Sequence, residues 1–144
     1  MGEASKEVFK NLIGITEFEG GFAHKRFVES ALEQRLTILA KITREEIGVI
    51  AKAMNAELVD YKLDEATEWV LRVKPLSYLE IYYFMQKYSP EFPDVLKALY
   101  SKEAKEWGIP AEDVSDFTIL YANAIIYTAK KVLGKSLPKL SRYL

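Results

Sequence analysis

The residues able to do chemistry are few. The chain has one histidine, His24, and no cysteine. The lack of cysteine removes disulfides, thiolate catalysis and cysteine-based zinc sites together. A lone histidine ligates a metal only if carboxylates fill the remaining positions. Glu17 and Glu19 precede it across Gly20-Gly21 with no ligand spacing. The Glu-x-x-His pairs of di-iron bundles are missing, so His24 reads as a surface or helix-start residue. No serine stands in a nucleophile-elbow context. Gly20-Gly21 is the single glycine cluster, and Glu17-Phe18-Glu19 before it would repel a phosphate. No catalytic residue, cofactor-binding residue or metal ligand is expected, and an enzyme is not favoured. No family signature is recognised.

Carboxylates pair at Glu45/Glu46, Asp64/Glu65 and Glu112/Asp113. Each pair reads as the start of a helix, where the dipole favours acids by about 0.3–1 kcal/mol. A helix-turn-helix over residues 47–63 is considered and set aside. Its second helix would present Glu57, Asp60, Asp64 and Glu65 against one base, Lys62, and would repel DNA. Asn123 in the last helix is a polar residue among alanines. It must find a partner if buried, and packing register is its expected role.

Two features point to partners. The first is aromatic: Tyr78, Tyr82, Tyr83, Phe84, Tyr88, Phe92 and Tyr100 place seven of eighteen aromatics within 23 residues. Read as a helix, Tyr78 to Tyr88 is apolar most of the way round, which suits a central helix or one shared with a partner. Tyr78, Tyr82, Tyr83 and Tyr88 are the expected interface. The second is basic: Lys130, Lys131, Lys135, Lys139 and Arg142 give the last 28 residues a charge of +5, and the rest carries −6 for a whole of −1. They are the expected anion-binding group. Five charges supply only modest affinity for nucleic acid at physiological salt.

The elements that must position these residues read as helices. Expected helices cover residues 5–13, 22–42 and 44–55, the last opened by a capping box, Thr43 to Glu46. A second capping box, Ser77 to Glu80, opens a helix ending before Ser89-Pro90. Another spans residues 93–107 with Gly108 as its cap. The last begins at Pro110 and stops at Gly134. Residues 57–74 are read as helix, with a hairpin of Val59-Tyr61-Leu63 and Trp69-Leu71-Val73 as the alternative. The expected fold is all-α, an irregular or orthogonal bundle of six or seven helices in one domain over 1–144, with a short basic tail at 135–144.

The longest uncharged run, residues 117–129, is too short to span a bilayer, and residues 1–10 hold no apolar core of signal-peptide length. A cytoplasmic protein without membrane insertion is expected. Five amides beside 41 charged side chains, with no cysteine, match the bias of thermophiles. The function expected is a non-enzymatic interaction or scaffold module that self-associates through the aromatic segment. A nucleic-acid-associated protein using the basic segment is the alternative, and a small-ligand protein or enzyme is less favoured.

Overall fold

Residues 67–101 carry three apolar runs separated by turn residues, and they fold as strands. The structure is a computed structural model and describes residues 11–139. Its elements are β1 (Leu12–Ile13), a 3-10 turn (Ile15–Glu17), α1 (Gly21–Leu39), α2 (Arg44–Met54), β2 (Glu57–Val59), β3 (Thr67–Leu76), β4 (Leu79–Gln86), β5 (Val95–Ser101), α3 (Lys102–Glu106) and α4 (Ala111–Val132). The strands form one antiparallel sheet in the order β1-β5-β4-β3-β2.

This overturns the all-α expectation. Residues 57–74 do not form a helix. They hold β2 and most of β3, paired antiparallel with Glu57 opposite Arg72 and Val59 opposite Val70. The chain pairs antiparallel here as the hairpin alternative had it, but its first strand is Glu57–Val59, and Tyr61 and Leu63 lie in the connection to β3. The helix expected from Ser77 is β4: Leu76 pairs with Leu79, so Ser77 and Tyr78 form the hairpin turn and Ser77 caps nothing. The helix expected over 93–107 is β5 followed by the short α3. Residues 5–10 of the first expected helix lie outside the described residues, and Leu12–Ile13 is strand. The ends of α2 and α4 fall close to the expected signals, whereas α1 stops at Leu39, three residues before its expected end, and α3 starts only at Lys102. Thr43 Oγ1 accepts from Glu46 N at 3.2 Å while Glu46 Oε1 accepts from Thr43 N at 2.9 Å, a complete capping box. Asn55, Gly108 and Gly134 take positive φ just past their helices.

The three long helices pack on one face of the sheet. Trp69, Leu71, Ile81, Tyr83, Met85, Leu96 and Tyr100 point into that layer and are buried with Leu32, Ile38 and Leu39 of α1, Ile47 and Ile50 of α2, and Ile125 and Ile126 of α4. The polar ends of the large rings are satisfied inside. The Trp69 indole donates to Ile42 O at 3.1 Å, and the Tyr83 hydroxyl donates to Thr118 O at 2.6 Å. Thr118 Oγ1 donates to Val114 O at 2.6 Å, so the Tyr100 hydroxyl is the donor in its 2.8 Å bond to Thr118 Oγ1. The other face carries a smaller buried group, Val70, Tyr82 and Phe84, packed with Leu12, Val59, Tyr61 and Leu99. There Tyr61 stacks on Tyr82 at 5.8 Å, and Arg72 bridges Glu57 at 2.7 Å and Glu80 at 3.1 Å.

Burial raises the Tyr83 phenol well above its ordinary range and pushes Tyr100 up to about 12. Both stay neutral in the fold, while unfolded tyrosines ionise near pH 10. Stability is therefore whole below about pH 10 and falls as pH rises toward about 12, by roughly 1.4 kcal/mol per pH unit for each such tyrosine. Burial pushes Tyr82 up to about 12 as well, so urea unfolding between pH 9 and 11.5 should show this fall, and Tyr100→Phe should remove about a third of its slope.

Candidate functional site

The four tyrosines expected to form an interface are dispersed. Tyr83 is buried between β4 and α4. Tyr82 is buried on the opposite face of the same strand. Tyr78 lies in the hairpin turn, stacked on Trp107 with ring centroids 4.6 Å apart. Tyr88 follows β4, and its hydroxyl donates to Asp64 Oδ2 at 2.5 Å. No single surface holds all four, because alternate residues of a strand point to opposite faces.

The basic group is also divided by its contacts. Lys135 donates to Glu46 Oε1 and to Lys41 O, each at 2.8 Å, which ties the end of α4 to the start of α2. This contact and the capping bond hold the Glu46 carboxyl below the usual carboxylate range. Lys131 and Lys139 are exposed, Lys130 lies in the last turn of α4, and Arg142 lies outside the described residues. Asn123 Oδ1 accepts from Arg35 Nε at 2.6 Å, across from α4 to α1. His24 sits in the first turns of α1. Among the described residues no three His, Cys, Asp or Glu side chains group to hold a metal.

Asp64 is not at a helix N-terminus, as its pairing with Glu65 had implied. It lies before β3 and accepts from Ala66 N and Gln86 Nε2, each at 2.8 Å, as well as from Tyr88. These bonds, the Tyr88 hydroxyl first, lower its carboxyl. Gln86 in turn accepts from Thr67 Oγ1 at 2.7 Å. Nearby, Asp94 accepts from Tyr88 N, Ser89 N and Ser89 Oγ at 2.9, 3.0 and 2.9 Å. The acceptor capacity of both carboxylates goes to fixing loops, which leaves little of it for a substrate.

Among the described residues, one feature with unused bonding capacity is the outer edge of β5. β1 is two residues long and pairs only with Tyr100 and Ser101. The chain then leaves the sheet at Gly14 for the 3-10 turn. Lys102 N donates to Asn11 O at 2.9 Å, which makes 102 and 11 a hydrogen-bonded pair. In an antiparallel ladder such pairs alternate. Tyr100, Ala98 and Leu96 therefore present their N–H and C=O to this edge, and the odd-numbered residues present theirs to β4. Lys87 N donating to Ala66 O at 2.8 Å, on the far side of β4, fits the same alternation. Ile13 pairs with Tyr100. Among the described residues, no hydrogen bond reaches the outward groups of Ala98 and Leu96.

A groove of about 750 Å³ runs along this edge, between β5, α1 and the 3-10 turn. Val28, Leu32, Leu36, Leu96, Ala98 and Tyr100 give it an apolar lining, and Lys25, Glu29, Glu33 and Lys97 stand along it. Lys25 pairs with Glu29 at 3.5 Å. One end is shaped by Gly21, where a Cβ would lie 2.1 Å from Ile15 O and 2.7 Å from Thr16 Cα. Only glycine lets α1 start this close to the turn. Sequence reading missed the edge because residues 93–107 read as helix, and a helix has no edge.

No helix among the described residues is long and apolar enough to cross a membrane. Comparison with protein-family models, curated proteins and solved structures finds no match to this chain.

Gly21→Ala must displace the 3-10 turn that closes the groove, and urea unfolding should show a loss of about 1–3 kcal/mol, as for other overpacked sites. Gly14→Ala meets nothing within 4 Å and should change stability by less than about 0.5 kcal/mol.

Proposed function

We propose that this chain is a non-enzymatic interaction module that docks an extended segment of another protein along the free edge of β5. The observation that carries the reading is the set of N–H and C=O groups of Leu96 and Ala98 that find no partner among the described residues, facing outward beside an apolar groove. Unpaired strand edges accept added strands: main-chain bonds supply affinity and pockets for alternate side chains supply specificity. A segment in line with β1 would bond to Ala98 and Leu96. Its alternate side chains would enter the groove against Leu32, Leu36 and Leu96.

A second copy of the chain fits the edge poorly. The symmetric register that pairs all of residues 95–99 sets Lys97 directly opposite Lys97 of the other copy, and like charges facing each other across strands are destabilising. A lysine on the edge and Pro93 before it are devices that discourage pairing between identical edges. A heterologous segment can place an acid at that position instead.

The test uses amide NMR on the whole protein with a capped hexapeptide of alternating valine and threonine, one threonine replaced by glutamate. The expected result is saturable shifts centred on residues 95–99, with slowed hydrogen exchange at the Leu96 and Ala98 amides. Ala98→Pro removes an outward donor and leaves the β4 ladder whole, so it should abolish binding with the fold retained. No saturable shift at peptide concentrations of about 1 mM, where even a binding free energy near −4 kcal/mol would register, overturns the reading. So does binding that Ala98→Pro leaves unchanged. Dimerisation sensitive to Ala98→Pro would make a second copy the occupant and overturn the heterologous reading.

A further inference from the structure

A second cleft, of about 660 Å³, lies on the outer side of α4 beside Trp107. One wall is the Trp107 indole, packed against the Tyr78 ring at 9° between planes. The other wall is a single face of α4, where Asp113, Asp116, Phe117 and Leu120 follow at helical spacing. Trp107 is 65% exposed and Leu120 56% exposed. Large apolar side chains left open beside one another mark binding surfaces more often than isolated ones do. Asp113 and Asp116 have no ion-pair partner among the described residues. The helix dipole accounts for Asp113 in the first turn. It does not account for Asp116, which lies beyond the reach of that effect.

We propose that this cleft binds an organic cation on an aliphatic stem, an alkylammonium or alkylguanidinium group. Residues three apart on a helix are neighbours, so the two carboxylates can share one cationic head. The indole is the ring that attracts a cation best. The stem lies across Phe117 and Leu120, which a bare inorganic cation would leave uncovered. Anions are repelled by both acids, and a neutral alcohol of the same length gains only the apolar contact. Free alkyl amines and the side chains of lysine or arginine share this chemistry. The site is separate from the β5 edge and does not depend on it.

Trp107 supplies the readout, because Trp69 is fully buried and its indole is already bonded to Ile42 O. The whole protein is titrated with 1,5-diaminopentane, with the capped single residues acetyl-lysine and acetyl-arginine methylamide, and with 1,5-pentanediol as the neutral control. Tryptophan fluorescence should change saturably with the cations, with a midpoint of about 1 mM, and not with the diol. Asp116→Asn should weaken binding about fivefold, and Asp113→Asn with Asp116→Asn at least about tenfold, scaled from exposed ion pairs. Both acids are exposed, so the folded state should survive, as far-ultraviolet circular dichroism would verify. Response to the diamine alone identifies free amines as the source, and response to the capped residues identifies protein side chains. Saturation by the diol at the same midpoint, an unchanged midpoint in the double variant, or no saturable change with any cation up to about 20 mM overturns the proposal.

Discussion

The fold turns on Thr118. Two strands and one helix meet there through hydroxyl groups with no access to water. Tyr83 of β4 donates to the Thr118 carbonyl, Tyr100 of β5 donates to its hydroxyl, and that hydroxyl donates to Val114 O one turn back. A buried phenol left without a partner costs about 1–3 kcal/mol. The register of α4 over the sheet is therefore tightly set: a rotation or slide of α4 by one residue leaves both phenols unpaired. Trp69 plays the same part at the other end of the layer, with its indole on Ile42 O between α1 and α2. Large rings fill the core, and their polar ends lock the helices to the strands.

That locking explains why the free chemistry of the molecule lies at its margins. Asp64, Asp94, Glu46 and Gln86 carry polar groups of the kinds that serve reactions, yet each is committed to a loop, a cap or a strand end. Unused bonding capacity remains where the chain leaves the sheet early. β1 ends after two residues because the chain breaks at Gly14 and Gly21 brings α1 against the 3-10 turn. The groove and the open stretch of β5 follow from that departure. The cleft beside Trp107 has a similar origin: α3 is only five residues long, and Gly108 turns the chain sharply into α4 with the indole left outside.

The ends of α2 and α4 were legible because their signals are local. Thr43 and Glu46 need only each other to cap α2, and Pro110 and Gly134 act through their own backbone angles. The paired charges at Glu112 and Asp113 belong to the first turn of α4 for the same reason. The strands were not legible, and β4 shows why. Ile81, Tyr83 and Met85 are buried on one face while Tyr82 and Phe84 are buried on the other. A strand covered on both sides loses the alternation that marks it, and a continuous apolar run reads equally as a buried helix. Ser77 and Glu80 added a false helix start, although Ser77 stands in the hairpin turn and Glu80 in β4. In β3, Trp69, Leu71 and Val73 do alternate, but Val70 is buried on the other face, and Ala66, Val70 and Val73 also fall at helical spacing.

The sequence by itself determined the absence of cysteine chemistry, the boundaries of α2 and α4, and a chain rich enough in apolar residues to bury a core. These rest on composition and on contacts within four or five residues. Only the tertiary structure decided that Tyr82 and Tyr83 belong to opposite faces, that Lys135 is spent on Glu46, and that Leu96 and Ala98 face an open edge. Each of these depends on which strand lies beside which, a pairing between residues far apart in the chain. A strand's hydrogen bonds are completed by another segment, whereas a helix completes its own. For that reason the helices could be read in place, and the edge that now carries the functional proposal could not.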